Sequence, residues 1–219
     1  MNKVFGIKSD YAPVKDDASR MVICYGQESV DDENATWYEV YLYKAQISQV
    51  TLDMVKNAVI DDINARTDET ILTGFVWNGK PVYLSKENQE NYLGALTAAT
   101  ITEGASLPIK FKLGEDENGE PVYHTFNTLN SLSQFYLAGV GYINQCLNAG
   151  WAEKDAIDWQ PYEEALQQIE EARLAAEEAA RQAAEEEAAR LAEEEAARQA
   201  EQEQQEEAAP SVEPENAGE

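Results

Sequence analysis

The sequence predicts an α+β protein in which helices alternate with small antiparallel hairpins, followed by a long acidic Ala/Glu-rich helix and a disordered end. Asn-Gly dipeptides at 78–79 and 118–119 each lie between two strand-like runs, which is the strongest short-range signal of a β-hairpin. Apolar residues recur at helical spacing around these hairpins, and from Pro161 the composition changes to mainly Ala, Glu, Gln and Arg. Strands and helices do not alternate in the way that a parallel sheet requires.

Residues 1–48 form a strand-rich N-terminal segment, which is a possible oligomerisation or docking region. The runs "SRMVICYG" and "TWYEVYLYK" are rich in β-branched and aromatic residues, and a polar loop separates them. In the second run, Tyr38, Val40 and Leu42 lie on one face of the strand. The other face carries Glu39 and three candidate interface residues: Trp37, Tyr41 and Tyr43. Two interpretations are open, since this face either packs against another chain or is intramolecular core.

Residues 50–160 form a helix–hairpin–helix–hairpin–helix domain, and its first half begins with a capped helix. Thr51 is a candidate N-cap, and apolar residues follow it at helical spacing: Leu52, Val55, Val59 and Ile63. Asn78-Gly79 then predicts a type I′ turn, because both central residues of that turn need a positive φ. Pro81 indicates an edge strand, because proline cannot donate to the ladder. Ser85 caps the next helix, in which three residues are expected to face the core: Tyr92, Leu93 and Leu96.

The second half of this domain repeats the pattern. The runs "LPIKFKL" and "EPVYHTF" alternate as strands around the turn at Asn118-Gly119. Thr128 caps the third helix, and Gly150 is a natural residue to end it. The third helix carries an apolar set that is expected to face the core: Leu129, Leu132, Phe135, Tyr136, Val140, Ile143 and Leu147.

Residues 161–208 are expected to form a charged single helix or a weak coiled coil, and residues 209–219 a disordered tail. A 17-residue sequence is repeated within 172–205, matches at 12 positions and consists of strong helix formers. Pairs of Glu and Arg four residues apart support an isolated helix: Glu177/Arg181, Glu186/Arg190 and Glu194/Arg198. Leu174 and Leu191 lie 17 residues apart, so they do not form the sustained apolar stripe of a coiled coil.

The formal net charge of −26 disfavours several classes of partner. Acidic residues outnumber basic ones on both sides of residue 162, so nucleic acid and anionic membrane surfaces are expected to be repelled. No apolar run approaches the ~20 residues that span a bilayer, and the N-terminus lacks the apolar core of a secretory signal. Cys24 and Cys146 lie on apolar stretches and are expected to be buried thiols in a reducing compartment. The chain is therefore expected to be made in a cytoplasm.

No catalytic constellation is visible, so we expect a non-enzymatic protein without a cofactor or a metal ion. His124 is the single histidine and lies in a predicted strand, which is typical of a packed or surface residue. The loop "GEDENGEP" fails as a calcium site, because Gly114 and Thr125 stand where carboxylate ligands belong. Three amides could hydrogen-bond the backbone of a partner and are candidate protein-interface residues: Asn88, Gln89 and Asn91.

The stretch "ILTGFVWNGKPVYLSKENQENYLGALTAA" resembles a domain family of unknown function that is common in bacteriophage and prophage genomes of gut bacteria. Members of that family often lie in genes for tail fibres or for other virion fibres and appendages. The resemblance covers about residues 50–160. It rests on a string of short motifs, whose residues here are Phe75, Trp77, Asn78, Gly79, Leu84, Ser85, Asn88, Gln89, Tyr92, Leu107, Pro108, Phe126, Phe135, Tyr136, Trp151, Lys154 and Asp155.

The resemblance implies a non-enzymatic virion structural protein, such as a tail-fibre or head-fibre component or an adaptor, that docks on other virion proteins. It also implies a homo-oligomer, for which a trimer is the family-level expectation. Such a protein is made in the cytoplasm of the host bacterium and is located in the virion. The alternative is a soluble fibre-assembly factor, a chaperone that is not retained in the mature particle.

Overall fold

The computed structural model describes residues 3–17, 19–44 and 49–207. The chain divides into two compact units, Met1–Leu166 and Gln167–Glu219. Helices and antiparallel hairpins alternate in the first unit, and a long helix ends the described chain, so the predicted α+β class is confirmed. The predicted disorder of residues 209–219 lies outside the described residues.

A four-stranded antiparallel sheet forms the N-terminal part of the first unit. Its strands, in the order β1-β4-β3-β2, are β1 (Lys3–Ile7), β2 (Val14–Asp16), β3 (Arg20–Ser29) and β4 (Asn34–Tyr43), and a 3-10 helix (Lys8–Asp10) follows β1. The two long strands β3 and β4 correspond to the two runs that the sequence singles out. Residues 21–25 of β3 are all buried, so both faces of the sheet are covered at this strand.

Helix α1 (Leu52–Thr73) begins at the predicted cap. The hydroxyl of Thr51 accepts a hydrogen bond from the main-chain N–H of Met54 at 3.3 Å. Three of the predicted apolar positions are fully buried: Val55, Val59 and Ile63. The helical spacing of these residues therefore places them on one inward face, as predicted.

The first hairpin is built on the predicted type I′ turn. Strands β5 (Phe75–Trp77) and β6 (Lys80–Val82) pair antiparallel, and Asn78 and Gly79 have φ angles of 49° and 72°. Beyond β6, the main-chain N–H of Tyr83 donates to a main-chain carbonyl of the second hairpin at 2.7 Å. The two hairpins are therefore joined by their backbones.

Helix α2 (Lys86–Ile101) begins at the predicted cap Ser85, whose hydroxyl accepts a main-chain hydrogen bond at 3.2 Å. Tyr92 is buried and Leu96 packs against the core, as predicted. The inward prediction for Leu93 is wrong, because its side chain is 48 % exposed. Leu93 lies about 100° around the helix from Tyr92, which turns it from the core toward α3 and solvent.

The second hairpin pairs β7 (Ile109–Glu115) with β8 (Pro121–Phe126) through a turn that differs from the first. Here the left-handed conformation falls on Gly119, whose φ is 80°. The carboxylate of Asp116 accepts hydrogen bonds from the main-chain N–H groups of Asn118 (2.9 Å) and Glu120 (3.0 Å). The acidic loop is therefore organised by a turn-forming aspartate.

Helix α3 (Leu129–Asp155) begins at the predicted cap Thr128 but continues past its predicted end at Gly150. Gly150 is buried inside the helix, where an added Cβ atom would lie 2.5 Å from Thr67 Oγ1 of α1. The prediction that Gly150 ends the helix is therefore wrong. Glycine occurs here because α1 and α3 cross closely, and not because the helix stops.

The main core lies where the two hairpins meet α2 and α3. At its centre is the ring of Phe135, whose centroid lies 4.9–6.2 Å from those of four other aromatic rings: Phe75, Trp77, Tyr92 and Phe126. Tilted and edge-to-face contacts at these distances are favourable beyond the area that they bury. The hairpin around Asn78-Gly79 is thus a scaffold element, docked on two helices.

Helix α4 (Gln160–Glu207) starts in the first unit, where Tyr162 is buried and its hydroxyl donates to the carbonyl of Cys24 at 2.9 Å. In the second unit the side chains of residues 171–200 are exposed. The predicted pair of Arg198 and Glu194 is present at 3.5 Å, and Arg173 lies within 3.0 Å of two glutamates, Glu170 and Glu177. Within the described part of the chain, no helix combines the length and apolar composition that crossing a bilayer requires.

Candidate protein interface

The side chains that could carry chemistry are packed individually and do not converge on a site. Among the residues that the structure describes, no group of three or more His, Cys, Asp or Glu side chains could hold a metal ion. The ring centroid of His124 lies 4.5 Å from that of Phe126, and burial together with the charge of nearby Lys80 lowers the pKa of His124. Cys24 and Cys146 are buried free thiols, and burial raises the pKa of Cys24 to about 11. At neutral pH the imidazole is therefore uncharged and the Cys24 thiol is protonated.

The assignment of Trp37 as an interface residue is wrong, because its side chain is only 2 % exposed. It packs on one face of the sheet in a cluster with Val22, Cys24 and Ala35. Tyr41 packs partly against this cluster, whereas Tyr43 at the end of β4 is 56 % exposed. Intramolecular core is therefore the correct interpretation for Trp37, and Tyr43 is the member of the three that a partner can reach.

Glu39 shows how a carboxylate is accommodated on this covered face. Its Oε1 accepts a hydrogen bond from Trp37 Nε1 at 3.1 Å, and its Oε2 accepts one from the Tyr41 hydroxyl at 3.0 Å. The Nζ atom of Lys15 on β2 lies 3.9 Å from Oε1 and 5.3 Å from the centre of the Trp37 ring. A carboxylate removed from water is tolerated when it is paired and hydrogen-bonded, as Glu39 is.

Two of the three predicted amides are used within the chain. Asn88 Nδ2 donates to the carbonyl of Tyr83, and Gln89 Nε2 donates to the carbonyl of Leu84, both at 2.8 Å. These hydrogen bonds hold the first turn of α2 on the end of the first hairpin. Asn91 is exposed on the same helix. It is therefore the amide that remains available to a partner.

Asn91 lies at one end of an exposed surface to which we refer as the α2–α3 face. This face consists of the exposed side chains of Asn91–Ile101 on α2 and of those between Leu129 and Ala152 on α3 that lie away from α1. Neither segment contains Asp, Glu, Lys or Arg, and Lys86 and Glu90 of α2 border the groove between the two helices. Charged residues make up 26 % of the chain, so segments of this combined length would be expected to carry about nine of them. Depletion of charge is the compositional signal that marks the centre of a protein interface.

Large apolar side chains are exposed on the α2–α3 face: Leu93 (48 %), Leu137 (65 %), Val140 (36 %) and Trp151 (54 %). The prediction that Val140 faces the core is wrong, because Gly139 takes the buried position. A groove of 290 Å³ lies between the two helices, with Leu93, Tyr136, Val140 and Ile143 in its lining. Apolar spacing alone does not reveal this face, because a helix shows the same period toward a core and toward a partner. The signal that could have revealed it is the absence of charge along α3.

The family described as a domain of unknown function (DUF4376) matches residues 54–209. The chain belongs to this family. The DUF4376 match begins in the first turn of α1 and extends beyond the last described residue of α4. It therefore includes the α2–α3 face and leaves the N-terminal sheet outside. No curated protein and no solved structure matches the chain.

The DUF4376 region is tied to the N-terminal sheet through Arg66 of α1. The Arg66 guanidinium lies 4.0 Å from the ring centroid of Tyr38, donates to the Tyr25 hydroxyl at 3.2 Å and pairs with Glu153 of α3. The Tyr25 hydroxyl donates in turn to Asp62, and burial raises the pKa of Tyr25. The sheet, α1 and α3 thus share one polar contact, which fixes the sheet on α1 and on α3, and α3 carries part of the α2–α3 face.

Proposed function

We propose that the protein is a non-enzymatic virion structural protein of a bacteriophage, a fibre or appendage component or an adaptor that docks on other virion proteins. The observation that carries the proposal is the α2–α3 face, because an exposed, uncharged and partly apolar surface is what a protein partner covers. The virion setting comes from the motif string between residues 50 and 160. On this proposal the chain is made in the cytoplasm of the host bacterium and assembles as a homo-oligomer.

The residues that carry the motif resemblance lie in the core and at the hairpin on which α2 and α3 pack. Phe75, Trp77 and Phe135 pack ring against ring in the main core. Asn88 and Gln89 are engaged with main-chain carbonyls next to the hairpin. These roles are structural, which supports a scaffold that presents a docking surface.

A soluble fibre-assembly factor is the second candidate, and the acidic helix favours it. The side chains of residues 171–200 on α4 are exposed, and most of the charged ones among them are glutamates. An exposed acidic helix suits transient binding to a basic surface of a fibre protein, because the attraction is long-range and is easily released by screening. Such a factor would leave before the particle matures.

Mass spectrometry of purified particles separates the two candidates. For a structural protein, we expect the chain at a fixed ratio to the other virion proteins. Leu93→Asp is expected to reduce its incorporation, because a carboxylate buried against a partner without a counter-charge is strongly unfavourable. The matched control is Val30→Asp, since Val30 is similarly exposed (57 %) but lies between β3 and β4. Presence in infected cells together with absence from particles contradicts the structural role and supports the assembly factor.

A further inference from the structure

The α2–α3 face contains a regular stripe along the outer side of α3, to which we refer as the α3 stripe. Its members follow one another at alternating steps of four and three residues, and all of them are exposed: Asn130, Gln134, Leu137, Gly141, Asn144, Asn148 and Trp151. This spacing averages 3.5 residues, so the members form a straight row along the helix, with Leu137 and Trp151 as its two large apolar side chains. A row of this shape can lie lengthwise along an α-helix of a partner.

The charge of the chain argues against an oppositely charged partner at the α3 stripe and is compatible with a second copy. An oppositely charged partner would be attracted to the acidic surfaces of a protein with a net charge of −26, and not to its neutral face. A second copy of the chain carries the same −26 and is repelled wherever acidic surfaces meet. The α3 stripe is a surface on which two such copies can approach each other without placing like charges together.

The α3 stripe is also self-complementary about its middle. Leu137 and Trp151 lie seven residues before and after Asn144. In an antiparallel pair of α3 helices centred on Asn144, each Leu137 meets Trp151 of the second copy. The Asn144 amide both donates and accepts hydrogen bonds, so it can pair with itself across a twofold axis.

Gly141 provides the space that this arrangement needs. In the same antiparallel register, Gly141 lies close to Asn148 of the second copy, since the two residues are three and four positions from Asn144. An added Cβ at Gly141 would meet nothing within 4 Å in the single chain. Small residues at a helix contact allow the two backbones to approach closely.

We infer that the protein forms a homodimer in which α3 packs antiparallel against α3 of a second copy, with the two Asn144 side chains at the twofold axis. The inference uses only the outer side of α3, which is one part of the face in the proposed function, and it does not depend on a virion location. Its twofold symmetry also differs from the threefold symmetry that the family resemblance suggests. A purified chain is enough to test it.

Light scattering coupled to size-exclusion chromatography tests the assembly state of the full chain. We expect a mass of two 24.4 kDa chains for the wild type. Leu137→Asp should raise the dissociation constant by at least about tenfold, because it places a carboxylate against Trp151 of the second copy. Val30→Asp should leave the dimer unchanged, and circular dichroism should show equal helix content in all three proteins. A monomeric wild type, a trimer, or a dimer that is unaffected by Leu137→Asp overturns the inference.

The salt dependence provides a second readout. Raising the ionic strength should strengthen the dimer, because it screens the repulsion between two acidic chains. A contact between oppositely charged surfaces would weaken under the same change. Weakening of the dimer by salt therefore contradicts the inference.

Cysteine cross-linking tests the register and direction of the helices. Asn144→Cys should form a disulfide between two copies under mild oxidation, because the two positions meet at the axis. A mixture of Leu137→Cys and Trp151→Cys chains should form the mixed cross-link, whereas either variant alone should not. The native Cys24 and Cys146 are buried in each chain and serve as the background. Efficient self-cross-linking of Leu137→Cys alone would indicate parallel helices and overturn the proposed arrangement.

Discussion

Arg66 illustrates how a side chain that looks ordinary in the sequence organises three parts of the first unit. It lies on the polar side of α1, where a surface role is the simple expectation, yet its side chain is only 14 % exposed. The pairing with Glu153 spans 87 positions and the hydrogen bond to Tyr25 spans 41. Its charge is removed from water and is compensated by partners from two other elements, so removal of the guanidinium leaves those partners uncompensated.

Arg66→Met is therefore expected to lower the free energy of unfolding by about 3 kcal/mol. Methionine keeps an unbranched apolar side chain beside Tyr38, but it leaves the Glu153 carboxylate without its counter-charge and removes the hydrogen bond that the Tyr25 hydroxyl accepts. Urea denaturation followed by tryptophan fluorescence measures the change. The control is Arg173→Met, because Arg173 pairs with two glutamates on the exposed surface of α4, where removing it should cause no measurable change. Equal stability of Arg66→Met and the wild type would contradict a stabilising role.

The caps and the burial of individual residues differ in how far the sequence reveals them. Thr51, Ser85 and Thr128 are predictable, because an N-cap depends on chemistry within three residues of the chain. Trp37 is not, because alternation along a strand distinguishes two faces without showing that both are covered. The Lys15 side chain that pairs with the Glu39 carboxylate on the face of Trp37 comes from β2, a strand too short to be recognised in the sequence. A local sequence pattern therefore does not show which distant side chains will cover a face or pair with its charges.

The crossing of α1 and α3 explains why α3 is longer than its glycine suggests. Gly150 faces Thr67 at a distance that leaves no room for a methyl group. A glycine that allows close packing and a glycine that ends a helix look the same in a sequence. The neighbouring helix decides between them, and its position is known only from the fold.

Gly150→Ala is expected to destabilise the protein by about 1–3 kcal/mol, although alanine is the better helix former. The added methyl group would push α3 away from Thr67. Gly94→Ala on α2 is the control, because its methyl group meets nothing within 4 Å and should stabilise by up to about 1 kcal/mol. Thermal unfolding measures both variants.

The double variant Thr67→Ala with Gly150→Ala should recover part of the stability, since it removes the group that the methyl contacts. If Gly150→Ala were as stable as Gly94→Ala, the crossing would not constrain this position.

The order of helices and hairpins in the chain is easier to predict from the sequence than the four-stranded N-terminal sheet or the α2–α3 face. Turn residues and helical periods predict α1 to α3 and both hairpins, because each of these depends on neighbouring residues. Lys3–Ile7 and Val14–Asp16 are short strands that exist through pairing with β4 and β3, so their local signal is weak. The uncharged run of residues does not show by itself which of its side chains point outward. The α2–α3 face is recognised only when that run is combined with the exposure of the side chains in the fold.

At the scale of the molecule, the boundary between the two units lies inside helix α4. The sequence places the change at Pro161, where the composition shifts, but the first unit extends to Leu166. Tyr162 is 4 % exposed, and burial raises the pKa of its hydroxyl, which is hydrogen-bonded to the carbonyl of Cys24. The first residues of α4, a helix that is otherwise polar, thus complete the packing of the first unit.

Truncation after Leu166 is expected to leave cooperative thermal unfolding of the first unit at an unchanged midpoint. Truncation after Asp158 is expected to lower the midpoint, because it removes Tyr162 from a buried position, and the loss of a large buried aromatic side chain costs about 3–5 kcal/mol. Circular dichroism melts of the two truncated proteins and of the whole chain provide the comparison. A non-cooperative melt of the longer truncated protein would show that residues after Leu166 are part of the folded body.

The hydrogen bond between Tyr162 and Cys24 sets an order of events on the ribosome. The two residues are 138 positions apart, and at about 5–20 residues per second the second is translated about 7–28 s after the first. Until Tyr162 is translated, β3 lacks one of the side chains that cover it, although five consecutive residues of this strand are buried in the folded protein. The nascent N-terminal strands are therefore expected to be prone to premature association until Tyr162 is in place. The glutamate-rich residues beyond Leu166 are translated afterwards, so the first unit can complete its folding while they are still being synthesised.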